Sequence, residues 1–190
     1  MIDKIRLWWR FDARHYHRDF IVGVKNLWKW FPTIWKDRDW DSYYIYEVFR
    51  VKIEKQAKYI GNRDIHTEAK RDAERMLLVS KLIKLQQDEF YRMEYMDYEE
   101  TENWFEPYED DPDLFEWKNK TLSERYDDYF KKYYRQYKKV LDGEINRFKR
   151  TELDLTDKHL IAMEIAHENQ ERCRKLIFDI LHNHIERWWN

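Results

Sequence analysis

The chain has 190 residues, enough to bury a sizeable core, and its 18% aromatic content argues against disorder even though 39% of it is charged. A formal charge of −2 gives no overall pull toward nucleic acid or an anionic membrane. Three glycines and three prolines leave too little turn chemistry for a many-stranded sandwich or barrel, and the single Cys173 excludes an internal disulfide and a cysteine metal cluster.

In chain order, the spacing of Ala13, His17, Phe20, Val24, Leu27 and Phe31 predicts a first helix over 12–31, capped by Asp12 and stopped by Pro32. A charged, aromatic connection follows, and Asp41 is placed to cap a second helix. Its stripe is Ile45, Phe49, Ile53, Ala57 and Ile60, and Gly61-Asn62 is read as its stop. A third helix is expected from about Asp64 to Met96, long enough that a bend or break is expected within it. Residues 97–116 carry ten acids and no base, so 97–120 reads as an acidic loop or partly disordered insertion. Thr121 and Glu124 form a capping box for a fourth helix ending near Gly143, on which tyrosines alternate with lysines and arginines. Residues 144–155 read as irregular, and Thr156 as the cap of a last helix reaching almost to Asn190. The expected fold is all-α: a compact bundle of about five helices, two of them long, forming a single domain over 1–190 with the acidic insertion.

Some polar residues fall where a core residue is expected. His167 and Gln170 interrupt the apolar face of the last helix, Asp72 that of the third and His17 that of the first. Left unpaired in a core, each costs on the order of a few kcal/mol. They therefore form a satisfied core network or line a polar pocket between helices. A metal site from His17, Asp72 and His167 is a third reading, with no paired-histidine or Glu-x-x-His spacing behind it. No phosphate-binding glycine loop, nucleophile elbow or zinc-protease motif occurs. The nearest approach to a magnesium-binding carboxylate set is Glu47, Glu54, Glu68 and Asp72, at the wrong spacing. The chain reads as a binder rather than an enzyme, with no catalytic residues, metal or cofactor assigned.

The connection itself, PTIWKDRDWDSYY over 32–44, is too charged for core and too aromatic for an ordinary loop. Trp35, Trp40 and Tyr44 offer rings for stacking, Lys36 and Arg38 pair with phosphate, and Asp37 and Asp39 accept from hydroxyl or amino groups. That set suits a small nucleotide-like ligand, with His167 and Gln170 adding polar contacts. A structural reading stands beside it: Asp41 caps a helix, Arg38 bridges an acid, and the tryptophans cover the open end of the core.

NLWKWFPTIWKDRDWDSYYIYEVF, residues 26–49, and QAKYIG, residues 56–61, resemble a family of short hypothetical proteins encoded by bacteriophages and prophages. Its phrase resembles FPxIWKDRDWD, with Thr33 here in place of a more usual apolar residue. The likeness runs from about Arg10 to Tyr91 and implies a phage source without a mechanism. By analogy it implies an accessory protein acting against host defence.

Three functions are thus expected, in order. The first is a sponge that sequesters an immune signalling nucleotide. The second is a module that binds and inhibits a host defence protein, using the acidic segment and the tyrosine-basic helix. The third, nucleic-acid binding or metal-dependent nucleotide hydrolysis, is weaker. No apolar run approaches a membrane span and the amino terminus lacks a signal-peptide core, so a cytoplasmic protein without a membrane partner is expected. Trp8-Trp9 and Trp188-Trp189 are candidate surfaces for a homo-oligomer.

Overall fold

The computed structural model describes residues 2–63, 66–108, 113–122, 125–148 and 157–189. The first helix, α1, spans Ile2–Ile34, so Asp12 lies inside it rather than at its start. Pro32 does not stop α1 at residue 31. It removes the N–H that would reach the Trp28 carbonyl, yet Trp35 N–H still donates to Phe31 O at 2.8 Å and the helix closes just beyond the proline. The cap expected at Asp41 is present. Its Oδ1 accepts from Tyr43 N–H at 2.8 Å, at the start of α2, Ser42–Arg63.

Gly61 is not the stop of α2 but a point of close approach inside it. A Cβ built there would meet the Ala73 Cβ at 3.2 Å, so the missing side chain lets α2 pack tightly on α3, Ala69–Gln87. The expected third helix does break. Glu89 takes a left-handed φ of 48°, unfavourable for a residue with a Cβ, and separates α3 from the short α4, Phe90–Met93. A 3-10 turn over Glu94–Tyr98 follows.

Most of the described acidic segment is strand rather than loop. It forms an antiparallel ribbon of β1, Glu100–Pro107, and β2, Phe115–Leu122, pairing Trp104 with Lys118, Phe105 with Trp117 and Pro107 with Phe115. Among the described residues the fold is therefore mostly helical with one two-stranded sheet, not all-α. Thr121 belongs to β2 and Glu124 lies outside the described residues, so the expected capping box is replaced by a helix starting at Tyr126. The expected fourth helix is two, α5, Tyr126–Lys132, and α6, Tyr134–Leu141, divided at Tyr133. Gly143, at φ 73°, then supplies the left-handed stop. Thr156 lies outside the described residues. The cap of α7, Lys158–His184, is Asp157, whose side chain accepts from His159 N–H and Leu160 N–H. A 3-10 turn over Ile185–Trp189 follows α7. Seven α-helices thus stand among the described residues where about five were expected.

Two apolar clusters form the interior. One joins Ile53, Ala57 and Ile60 of α2, Met76, Val79 and Ile83 of α3, Cys173, Ile177 and Leu181 of α7, and Trp188. The other joins Tyr126, Tyr129 and Phe130 of α5, Val140 of α6, Ile145, and Ile161, Ala162 and Ile165 of α7. Of the tyrosines expected as a docking face, Tyr126 and Tyr129 are thus core, Tyr133 and Tyr137 pack half-buried against it, and Tyr134 is exposed. Two of the hydroxyls meet acids: Tyr126 OH donates to Glu99 at 2.5 Å, and Tyr133 OH to the buried Glu94 at 2.5 Å beside Lys132. Burial, helped by these carboxylates, pushes both hydroxyls well above the usual tyrosine range. Among the described residues, no helix is long and apolar enough to cross a membrane.

Glu164 is fully buried and accepts from Arg147 N–H at 2.7 Å and Phe148 N–H at 3.3 Å, pinning the turn after α6 to α7. Replacing Glu164→Ala is expected to cost roughly 2–4 kcal/mol, because two backbone donors lose a charged acceptor. Glu164→Gln, which keeps one acceptor oxygen, is expected to cost less. Urea midpoints at unchanged m-value measure both, and equal stability of the alanine variant and the native chain would refute the assignment.

Candidate functional site

The connection between α1 and α2 is held by local bonds. Asp37 N–H donates to Ile34 O at 3.0 Å, Asp41 N–H to Arg38 O at 3.1 Å, and Arg38 reaches the backbone oxygen of Asp37 at 2.9 Å rather than a carboxylate. Trp35 is 72% and Trp40 83% exposed, so the tryptophans do not cover the core's open end. Lys36, Asp37, Arg38 and Asp39 are also exposed, while Tyr44 is half-buried with its ring 5.3 Å from that of Tyr43.

The end of this connection meets the other predicted residues. A cleft of about 500 Å³ lies between the start of α2, the α3–α4 junction and the middle of α7, lined among others by Asp41, Tyr43, Tyr46, Gln86, Arg92, His167 and Gln170. His167 and Gln170 are thus brought together with Asp41 and Tyr43. Trp35, Lys36, Asp37, Arg38, Asp39, Trp40 and Tyr44 are not among the lining residues.

Local structure explains the cleft. Gln87 Nε2 donates to Tyr43 O at 3.1 Å and to Glu47 at 3.3 Å, fastening the end of α3 to the start of α2. Gln170 Nε2 donates to Gln86 O at 3.1 Å, fastening α7 to the same place. The left-handed Glu89 then turns the chain away, leaving the space that α3 would fill had it continued. Gln86 Oε1 and Gln170 Oε1 are buried and meet no donor among the described residues. An unmet buried acceptor costs about 1–3 kcal/mol, so both oxygens call for a donor that the described residues do not supply.

Cleft charges are largely committed. Asp41 caps α2, Glu89 pairs with Arg92 at 3.0 Å and Glu171 with Arg174 at 2.7 Å. His167 lies edge-on to Phe148 with ring centres 4.9 Å apart. Burial holds its pKa below the ordinary histidine value, with Arg92 and Arg147 adding to this and Glu164 and Glu89 opposing it. A neutral imidazole and two amides read the polar edge of a ring better than they move protons.

The alternative constellations do not assemble. His17 is exposed on α1, and Asp72 takes Arg75 at 3.3 Å and His66 at 3.9 Å, away from the His167 cleft. No group of three or more His, Cys, Asp or Glu side chains among the described residues is set to hold a metal ion. Glu47 and Glu54 are both held by Arg50 at 2.6 Å, and Glu68 pairs with Arg71. Sequence reasoning passed over Gln86, Arg92 and Tyr46. The signal present was the Gln86-Gln87 pair closing the α3 stripe.

Because the folded chain disfavours protonated His167, the unfolded chain binds more protons around and below the ordinary histidine pKa. Stability is therefore present above about pH 6.5 and falls as pH drops through that range toward the lowered folded value. His167→Gln is expected to flatten this decline, read from urea midpoints between pH 7.5 and 5. An unchanged slope would show that the ring is not desolvated. In comparisons with known proteins, no family model matches the chain, and no curated protein or solved structure matches it either.

Proposed function

We propose that the protein binds a small nucleotide-like ligand in the cleft of α2, the α3–α4 junction and α7, and holds it without turnover. The observation that carries this reading is the pair of buried acceptors that meet no donor among the described residues, Gln86 Oε1 and Gln170 Oε1, on residues lining a cleft of about 500 Å³. Amide oxygens accept from the amino and ring N–H groups of a base, Tyr43 and Tyr46 supply ring surfaces, and Arg92, whose Nη1 pairs with Glu89, keeps its other N–H groups for a phosphate. Asp41, Glu89 and Glu171 make the cleft unfavourable for a polyphosphate, which supports a ligand with few phosphates. The commitment of those carboxylates to a cap and two ion pairs favours holding over hydrolysis. The phage resemblance of residues 26–49 and 56–61 supports the setting: a sponge for an immune signalling nucleotide in the host cytoplasm.

Isothermal titration calorimetry against cyclic dinucleotides and ADP-ribose derivatives is expected to give saturable heat with at least one probe. Gln170→Leu should weaken that binding by about tenfold, the worth of one hydrogen bond. No heat from any of these probes, with the chain folded, would sink the reading.

A second reading, capture of a host protein, is favoured by the β1–β2 ribbon. It makes no extensive contact with the helices among the described residues, yet exposes Phe105, Phe115 and Trp117 on one side of a segment rich in acids. A two-stranded ribbon alone is marginally stable, so a basic protein surface is its fitting partner. Replacing residues 100–122 with a Gly/Ser linker is expected to abolish partner capture and leave urea stability within about 0.5 kcal/mol and ligand heat unchanged. Capture that survives the replacement would exclude the ribbon.

A further inference from the structure

The apolar stripe of α1 points away from its own body. Phe20, Val24, Leu27, Phe31 and Ile34 recur at spacings of four and three, the seam of a helix that packs on another apolar surface. Phe20 is 71% and Leu27 68% exposed, and the stripe forms a depression of about 430 Å³ with almost no polar lining. The side turned to the body is a different one. Trp30 and Thr33 are the half-buried residues, with Lys55 Nζ 4.1 Å above the Trp30 ring and donating to Lys29 O at 2.8 Å.

The body carries a matching unfilled groove of about 290 Å³ between α2, α3 and α7, lined by Ile45, Phe49, Ile83, Ile177, Phe178 and Leu181. Ile45, Phe49 and Phe178 stand exposed along it. The chain cannot fill its own groove with this stripe while Trp30 and Thr33 face α2. The area suffices for a stable pair. Phe20, Leu27, Trp28, Phe31, Ile34 and Trp35 expose roughly 800 Å² at about 150–250 Å² per aromatic ring. That exceeds the roughly 300–600 Å² patch of a typical monomer and matches the ~800 Å² each partner gives a standard interface.

We infer that the occupant is a second copy of this chain. Two copies exchange α1 helices across a two-fold axis, each seating its Phe20–Ile34 stripe in the Ile45–Phe178 groove of the other. The groove shares Ser42 and Tyr46 with the wall of the ligand cleft, but the Phe20–Ile34 stripe and Phe178 lie outside that cleft, so failure of the pairing would leave the ligand reading untouched.

Sedimentation equilibrium and native mass spectrometry of the full chain at micromolar concentration are expected to give a dimer. The paired variant Leu27→Arg with Phe31→Arg, and separately Phe178→Arg, change exposed positions and should each give folded monomers, with association weakened at least 100-fold. Mixing the two variants should restore a heterodimer, because one intact stripe then meets one intact groove. A monomeric native chain overturns the proposal. So does a Phe178→Arg variant that still dimerises, since α1 would then pack on α1, and so does a mixture that stays monomeric. Flotation of a monomeric native chain with phosphatidylglycerol vesicles, lost in the Leu27→Arg, Phe31→Arg variant, would assign the stripe to a lipid surface instead.

Discussion

Glu164 is a carboxylate without water around it, so the chain itself has to solvate its charge. The backbone N–H groups of Arg147 and Phe148 do so, and they can reach it only if the turn after α6 folds back against α7. With that turn pinned, Ile145 is pressed into the tyrosine cluster and the Arg147 guanidinium reaches Glu168 at 2.5 Å. The helical repeat then distributes the rest of α7. Ile161 and Ile165 serve the tyrosine cluster, and Cys173, Ile177 and Leu181 serve the α2–α3 cluster. His167 and Gln170 fall between these two sets in sequence, and the cleft opens there.

The high aromatic content divides into two populations with different physics. Tyr126, Tyr129 and Phe130 are interior, and the rings of Phe130 and Tyr137 stack 4.6 Å apart. Glu99 and His159 meet the Tyr126 hydroxyl there, so burial costs less than ring polarity alone suggests. Trp28, Trp35, Trp40, Phe105 and Trp117 form the other population, exposed on α1, the connection and the ribbon. The many charges are also mostly local. Pairs such as Arg50 with Glu47 and Arg174 with Glu171 sit three residues apart on single helices, where each contributes a few tenths of a kcal/mol and little to the choice of fold.

α2 and α7 were legible in the sequence because their apolar residues recur at helical spacing and their starts are marked, at Asp41 and next to Thr156. The core part of α1 was legible for the same reason, but its amino-terminal extension, which charged residues interrupt, was not. The ribbon escaped notice because both of its sides are solvent-exposed and acids punctuate its aromatics, with Trp104 on the side opposite Phe105, Phe115 and Trp117, so no buried face marks the strands. The breaks at Glu89 and Tyr133 lack the glycine or proline that would announce them. His167 and Gln170 could be read as interruptions of an apolar face, and the structure brings them beside Asp41. Gln86 was marked only by the Gln86-Gln87 pair and Arg92 by nothing, because their placement depends on where α3 stops, which tertiary packing decides. The exposure of Trp35 and Trp40 was equally hidden, since an aromatic reads as core until its surroundings are known.

The short connection between Ile34 and Ser42 also has a mechanical consequence. It joins a helix of 33 residues, about 50 Å long at 1.5 Å per residue, to the body through bonds confined mainly to neighbouring residues, with Lys55 of α2 as a further tie at Lys29 and Trp30. Such a helix is a lever. A rotation of about 20° at the connection carries its far end through roughly 17 Å, more than the width of a helix. Small torsional changes over residues 35–41 therefore set the radius within which α1 can search for a surface to rest on.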